Sequence, residues 1–179
     1  MKIKVLGTRG EIEETAPNVK KHSGILVDNI LFDVGEKEFL EYQPEAIFVT
    51  HLHPDHWSKD IETDIPIYSI EQPKGSKNWQ KLKKLSTLTI GNLKITPIPT
   101  VHSKKVKSCA FLIENSKRIL YTGDMIWINK RYHDKLKNLD LVITEASSFD
   151  KDLIRRDKQT GEIYGHSSAK KLYELFSKL

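Results

Sequence analysis

The seven residues Thr-His-Leu-His-Pro-Asp-His, at positions 50–56, directly follow a strand-like run of apolar residues. Side chains repeat every two residues where a strand ends, so we expect His51 and His53 to point the same way. The proline then turns the chain, so Asp55 and His56 can face a second point nearby. Imidazole nitrogens and carboxylate oxygens are the usual ligands of zinc and similar ions. The spacing therefore predicts two ligands for one metal ion and two for a second.

The composition is typical of one globular domain, predicted here to span residues 1–179. Hydrophobic residues make up 38% of the 179 positions and charged residues 30%, a balance that argues against disorder. A single cysteine excludes a disulfide framework and favours a reducing, cytoplasmic location. No apolar run approaches the roughly 20 residues that cross a bilayer, so no membrane association is expected. The formal net charge of +5 weakly favours anionic partners.

Short strand-like runs recur along the chain, and few helical patterns separate them. The predicted strands are Ile3–Leu6, Gly24–Val27, Ile30–Val34, Ala46–Thr50, Ile65–Tyr68, Leu93–Ile98, Cys109–Ile113, Arg118–Thr122 and Leu139–Thr144. Asp28-Asn29 and Asn115-Ser116-Lys117 each separate two such runs and predict hairpin turns. Many strands with few helices predict sheets packed on each other with helices outside.

Helical spacing is clearest at the end of the sequence. Apolar residues from Ser168 to Leu179 form one stripe, and a serine can cap the first turn. Shorter helices are expected around Lys77–Leu85 and after Asp55. The polar stretch Ser147–Gly165 is expected to be a long mobile loop.

Four segments, in order along the chain, resemble motifs of the metallo-β-lactamase superfamily. The pattern His51-x-His53-x-Asp55-His56 resembles its metal-binding signature. The others are Leu31-Phe32-Asp33-Val34-Gly35, Pro99-Thr100-Val101-His102 and Tyr121-Thr122-Gly123-Asp124. The resemblance implies an α/β fold, the αββα sandwich of two packed mixed sheets with helices outside and metals at one edge.

The same resemblance implies a site for two divalent metal ions. It gives His51, His53 and His102 to one ion, Asp55 and His56 to the other, and a bridging position to Asp124. Asp55 is also expected to orient the attacking hydroxide. The di-iron branch of the superfamily has glutamate at the position of His53, so histidine here favours zinc, or manganese, over redox iron.

Further segments are similar to ribonuclease Z and related phosphodiesterases. They are Val5–Gly10, His22–Val27, Leu139–Ser147 and His166–Ala169. This similarity implies that Glu145 orients His166, which then assists protonation of the leaving group. A carboxylate–imidazole pair is suited to such general acid catalysis.

Two departures from the ribonuclease Z pattern leave alternatives open. Thr144 stands where the motif has histidine, and no histidine follows His166. His166 is therefore either the last ligand of the second metal or the proton donor of a site that lacks this ligand. The tRNA-binding arm of ribonuclease Z has no recognisable equivalent, which puts tRNA as the substrate in doubt.

Three functions follow from these features. The first is hydrolysis of phosphodiester bonds, in RNA or a cyclic phosphate, by a hydroxide activated at a dinuclear metal site. The second is hydrolysis of esters, thioesters or lactones, because the same hydroxide attacks carbonyl groups. The third is a non-catalytic metal-binding domain that binds nucleic acid or a protein. The expected partner is a small-molecule phosphodiester or RNA substrate, and a homodimer is left open.

Overall fold

The computed structural model describes residues 1–12 and 19–179, which form two compact units, Met1–Leu82 and Lys83–Leu179. The first unit contains one six-stranded mixed sheet in the order β1 to β6. Its strands are β1 (Ile3–Gly7), β2 (Gly24–Val27), β3 (Ile30–Phe32), β4 (Ala46–Phe48), β5 (Ile67–Ser69) and β6 (Trp79–Lys81). The first three strands pair antiparallel, and β3 to β6 pair parallel. A 3₁₀ helix, Lys37–Tyr42, joins β3 to β4.

The central parallel strands of this unit are apolar on both faces, as buried parallel strands usually are. One face contributes Leu31, Ile47 and Ile67 to a hydrophobic core. On the other face the rings of Phe32, Phe48 and Tyr68 stack in register, with centroids 5.4 and 4.8 Å apart. This packing fixes the end of β4, from which the histidine-rich loop begins.

The second unit contains a second mixed sheet, in the order β11-β8-β9-β10-β12, with β7 paired to β8. Its strands are β7 (Leu88–Ile90), β8 (Leu93–Val101), β9 (Cys109–Glu114), β10 (Arg118–Tyr121), β11 (Trp127–Ile128) and β12 (Leu141–Ile143). A separate antiparallel hairpin consists of β13 (Leu153–Arg156) and β14 (Ile163–His166). A 3₁₀ helix, Lys130–Leu136, precedes β12.

The predicted C-terminal helix is confirmed as α1, Ala169–Phe176. The Ser168 side chain caps it by accepting a hydrogen bond from the Lys171 backbone N–H at 3.3 Å. Leu172 is buried in the core of the unit, and the rest of the apolar stripe packs against that core. Within the described ranges, no helix is long and apolar enough to cross a membrane.

Each of the nine predicted strands overlaps a strand of the structure, and both predicted hairpin turns join antiparallel neighbours. The helix expected at Lys77–Leu85 is wrong, because β6 pairs with β5 there. The helix expected after Asp55 is also wrong. One turn closes with Trp57 N–H donating to the His53 carbonyl oxygen at 2.8 Å, and a bridge between Trp57 and Val34 then extends the chain.

The stretch Ser147–Gly165, predicted to be one long mobile loop, instead contains most of the β13–β14 hairpin. Its strands are short and polar, with Arg155 and Arg156 in β13. Such strands lack the apolar alternation that identifies a half-buried strand in a sequence. The hairpin ends at His166, so this correction concerns a predicted site residue directly.

Candidate metal centre

The loop after β4 brings four predicted ligands of the first unit together. His51 Nε2 lies 3.1 Å from His53 Nδ1, and His56 Nε2 lies 3.5 Å from Asp55 Oδ2. A tetrahedral ion with metal–nitrogen distances of about 2.0–2.1 Å separates its nitrogen ligands by about 3.3 Å. The two pairs therefore have the spacing that ligands of one ion require.

Asp33, at the end of β3, supports this loop from beneath. Its fully buried carboxylate accepts hydrogen bonds from Thr50 N–H at 2.7 Å, the Thr50 hydroxyl at 2.8 Å and His56 Nδ1 at 2.7 Å. Because that hydroxyl donates to Asp33, its oxygen can accept a bond from His51 Nδ1, 3.1 Å away. Both histidines then present Nε2 as the basic nitrogen, which is the tautomer that a metal ligand needs.

Backbone contacts also hold the two later ligands of the loop. Ser23 N–H donates to the Asp55 carbonyl oxygen at 2.9 Å, and Val34 N–H donates to that of His56 at 2.8 Å. A Cβ atom at Gly35 would lie 2.4 Å from the Asp55 carbonyl oxygen, so only glycine fits this close approach. This close approach explains why glycine occupies the last position of the Leu-Phe-Asp-Val-Gly motif.

Sequence reasoning missed one polar cluster beside this loop. His22 is half-buried and lies with Nδ1 2.8 Å from Glu36 Oε1 and 3.1 Å from Arg9 Nη2. The three residues are far apart in sequence and belong to no spacing pattern. The bridge between Arg9 and His22 joins two of them, and the bond from the His22 backbone N–H to Glu36 Oε1 at 3.0 Å brings in the third.

The second unit brings together the remaining predicted site residues. His102, just after β8, lies with Nε2 3.8 Å from Asp124 Oδ2, and His166 Nδ1 lies 3.8 Å from the same oxygen. The rings of His102 and His166 have centroids 4.9 Å apart. His102 Nδ1 donates to the Gly165 carbonyl oxygen at 3.0 Å, so this histidine also presents Nε2.

Glu145 and His166 form a hydrogen-bonded pair next to Asp124. His166 Nδ1 lies 2.6 Å from Glu145 Oε2, which also accepts a bond from the Ser147 hydroxyl at 2.6 Å. The backbone N–H of Met125 donates to the other oxygen of Glu145. Burial raises the pKa of the Glu145 carboxyl, while the bond to His166 opposes this shift and the charge of Asp124 adds to it. The hydrogen bond between Glu145 Oε2 and His166 Nδ1 fixes the orientation of the imidazole.

The donor atoms in both units fit divalent metals of the zinc type. They are histidine nitrogens and carboxylate oxygens, the ligands that zinc takes in hydrolytic sites. Three of those in the second unit, from Asp124, Glu145 and His166, lie within 4.8 Å of one another. Because His166 Nδ1 bonds to Glu145, only Nε2 of that ring is suited to ligate a metal or to transfer a proton.

A sequence model of the beta-lactamase superfamily domain matches residues 37–179. The chain belongs to the metallo-β-lactamase superfamily. The superfamily predicted from the motifs is thus confirmed. No curated protein matches the chain significantly.

Several solved structures have the same fold at low sequence identity. YhfI from Bacillus subtilis, a metallo-β-lactamase fold protein, has a TM-score of 0.67 and 22% identity, over 93% of this chain and 77% of that one. A diphosphatase of the PhnP family has a TM-score of 0.65 and 15% identity, over 98% and 82%. Zinc-bound PqqB from Methylobacterium extorquens has a TM-score of 0.63 and 11% identity, over 84% and 74%.

These similarities confirm the predicted fold class, the metallo-β-lactamase type with two mixed sheets and few helices. Superfamily membership and the histidine–aspartate donor set indicate a metal-dependent hydrolase that binds divalent ions. The division of the ligands between two ions, the metal identity and the single-domain description of residues 1–179 stay predictions.

Proposed function

We propose that this superfamily member hydrolyses phosphodiester bonds, in RNA or a small cyclic phosphate, with two divalent metal ions. In this proposal zinc, or manganese, would be held by the ligands that the superfamily motifs imply. His51, His53 and His102 would hold one ion, Asp55 and His56 would hold the other, and Asp124 is the expected bridging ligand. His166 acts as the proton donor and Glu145 orients it.

The observation that carries this proposal is the Glu145–His166 pair beside Asp124. The alkoxide that leaves a phosphodiester is strongly basic, so its departure needs a proton. A neutral imidazole held by a buried carboxylate can become imidazolium and supply that proton. A carboxylic ester depends less on this group, because attack on its carbonyl carbon precedes departure of the alcohol.

The bound ions would supply a hydroxide near neutral pH and stabilise the developing charge on phosphate oxygens. The residues of the chain have separate tasks around that chemistry. Asp33 holds His56 and, through Thr50, His51 in the tautomer that ligates. Asp55 would orient the attacking hydroxide toward phosphorus. His166 then protonates the leaving oxygen.

Two further observations support a phosphate substrate. The net charge of +5 favours anionic partners over neutral esters. One neighbour of the same fold is named as a diphosphatase, an enzyme of phosphorus–oxygen bonds. A cytoplasmic location and a homodimer stay predictions of the sequence alone.

The test is hydrolysis of bis-p-nitrophenyl phosphate by the purified protein with zinc, with manganese or without added metal. We expect turnover that needs metal and falls by roughly 10³-fold or more in Asp124→Ala, which loses the bridging carboxylate. The matched control is Asp134→Ala in the same unit, because the Asp134 side chain is 87% exposed. Metal content and circular dichroism of each variant separate a lost ligand from a lost fold.

The other functions are distinct outcomes of the same assay. Turnover of a lactone or thioester without diester cleavage would favour the ester hydrolase. Salt-dependent binding of RNA with no hydrolysis under any metal would favour the non-catalytic domain. Full activity of Asp124→Ala would contradict the bridging role.

A further inference from the structure

One face of the β13–β14 hairpin presents His166 together with three residues that have no role in the proposed chemistry. The strands pair with Leu153 opposite His166 and with Arg155 opposite Tyr164. Directly opposed residues of an antiparallel pair, and those two positions along, lie on one face. Leu153, Arg155, Tyr164 and His166 therefore share a face, here called the ribbon face.

Two sets of contacts fix the ribbon face beside the end of β8. Gly165 N–H donates to the His102 carbonyl oxygen at 2.7 Å, and His102 Nδ1 donates back to the Gly165 carbonyl oxygen at 3.0 Å. Lys104, two residues beyond His102, forms an ion pair with Asp157 in the hairpin turn. The ribbon face is thus held in one orientation relative to His102.

The exposed groups of the ribbon face have the chemistry of a nucleotide subsite. Leu153 is 44% exposed and offers an apolar surface. Arg155 is exposed, and its guanidinium has no hydrogen bond or ion pair with any residue in the described ranges. Lys104 Nζ lies 5.5 Å from the centroid of the Tyr164 ring. An aromatic ring beside cations is the combination that binds a base by stacking and its phosphate by charge.

The position of these groups fits a substrate that extends away from the proton donor. Tyr164 lies two residues along β14 from His166, which is about 6.7 Å on an extended strand. A nucleotide whose leaving oxygen meets His166 would therefore place its base over Leu153 and Tyr164. Its next phosphate would then face Arg155, directly across from Tyr164.

We propose that the ribbon face binds the nucleotide on the leaving-group side of the scissile phosphate. Tyr164 and Leu153 stack against its base, and Arg155 binds the following phosphate. This inference rests on the proposed phosphodiesterase activity and narrows its substrates to diesters that contain a nucleoside. A cyclic phosphate or an ester without a base would make no use of this face.

The first test compares two diesters that differ only in the leaving group, with release of thymidine 5′-phosphate measured by chromatography. The nucleoside substrate is the 5′-phosphorylated dinucleotide of thymidine, whose leaving group is a second thymidine 5′-phosphate, and the methyl substrate is the methyl ester of thymidine 5′-phosphate, whose leaving group is methanol. We expect Tyr164→Ala and Arg155→Gln to lower kcat/KM for the nucleoside substrate by about tenfold and to leave the methyl substrate nearly unchanged. Tyr164→Phe should retain most of the preference, because it keeps the aromatic face.

The matched control is Arg156→Gln, which removes the same charge from the opposite face of the ribbon. Arg156 donates to the Gly161 carbonyl oxygen in the turn, so thermal unfolding must be recorded for both arginine variants. We expect the control to keep the preference for the nucleoside substrate. Equal losses on both substrates, or equal losses in Arg155→Gln and Arg156→Gln, would overturn the inference.

A second measurement needs no turnover. Thymidine 3′,5′-bisphosphate is titrated into the zinc-loaded protein in a calorimeter, and binding should weaken about tenfold in Tyr164→Ala and Arg155→Gln but not in Arg156→Gln. Such binding without diester hydrolysis would refute the proposed function but support nucleotide binding by the ribbon face. Hydrolysis of the methyl substrate, with nucleotide binding unchanged in the ribbon-face variants, would support the proposed function and overturn the inference about the ribbon face.

Discussion

The two groups of site residues are built in opposite ways. In the unit Met1–Leu82 the four predicted ligands lie within six consecutive residues, and one buried carboxylate, Asp33, supports their loop. In the unit Lys83–Leu179 the residues His102, Asp124, Glu145 and His166 come from four separate segments. Strand pairing and the β13–β14 hairpin bring these segments together.

This difference determines where each group is vulnerable. The local group depends on a few hydrogen bonds made by one side chain, so a single substitution can disturb all of its ligands at once. The dispersed group depends on backbone bonds between segments, such as the pair between His102 and Gly165. A substitution there should displace one functional residue and leave the others in position.

Asp33→Ala is expected to have the largest effect of a single change. It leaves Thr50 N–H, the Thr50 hydroxyl and His56 Nδ1 without their acceptor in a buried position. The free energy of unfolding should fall by about 3–5 kcal/mol, and metal affinity by roughly 10–100-fold. Denaturant titration and zinc binding measure both.

The matched control for Asp33→Ala is Asp60→Ala, in an exposed turn of the same unit. Its free energy of unfolding should change by no more than about 0.5 kcal/mol. Equal free energies of unfolding for the two variants would show that the hydrogen bonds of Asp33 do not stabilise the loop of predicted ligands.

His166→Ala is expected to come next and to separate the two roles that the sequence left open. For a diester with an alkoxide leaving group, kcat should fall by roughly 10²–10³-fold because the proton donor is lost. With p-nitrophenolate as leaving group the loss should be much smaller. Bound zinc, measured by elemental analysis, should not change, whereas loss of one zinc equivalent would make His166 a metal ligand.

Gly165→Ala tests the dispersed group through its backbone. Gly165 has a φ of +123°, and a Cβ atom there would lie 2.0 Å from the Leu153 carbonyl oxygen. We expect a loss of about 2–3 kcal/mol in unfolding free energy and reduced activity, because β14 must shift away from β13 and His102. The control, Gly161→Ala in the turn, has a φ of +74° and open space around the new atom. It should lose only about 1 kcal/mol.

Lys117→Gln should have the smallest effect, because its partner is an exposed carboxylate rather than a buried one. Lys117 Nζ lies 2.7 Å from Asp140 Oδ1, and this bond, with that from the Arg118 backbone N–H, lowers the pKa of Asp140. The substitution should raise that pKa part of the way to its ordinary value, which NMR titration would detect. An unchanged pKa would contradict the assignment.

The sign of this interaction sets its pH dependence. Because the pKa of Asp140 is lower in the folded protein, its contribution to stability is present at neutral pH. That contribution declines as pH falls below about 4, where the unfolded chain begins to bind the proton. It is lost once the pH has fallen through the lower pKa of the folded protein. The contribution is small, since surface ion pairs stabilise little.

The dispersed group shows how far sequence reasoning extended. His102 and Asp124 were predicted as site residues because each ends a strand in a motif of the superfamily. The contact between Glu145 and His166 was expected from the similarity to ribonuclease Z, and no spacing rule gives a contact between residues that far apart. The segments that contain Arg9 and His22 also resemble ribonuclease Z, but that similarity gives no contact of either residue with Glu36, and the cluster was missed.

The missed strands have a common physical cause. β6, β7, β11, β13 and β14 are two to four residues long, and β6 and β13 are largely polar and exposed. β6 and β13 gain little from burying side chains, and their sequences show no apolar alternation, while the others are too short for a pattern to identify them. Pairing with a neighbour, which is distant in sequence for β11, holds them in place.

The local chemistry of this protein follows from the order of its residues. One loop offers a fixed set of donor atoms, from His51, His53, Asp55 and His56. Residues this close in sequence, directly after the end of a strand, necessarily lie close together in space. The hairpin face that His166 shares with Tyr164 and Arg155 follows instead from strand pairing in the folded protein. Register is fixed by hydrogen bonds between distant backbones, and no local pattern encodes those partners.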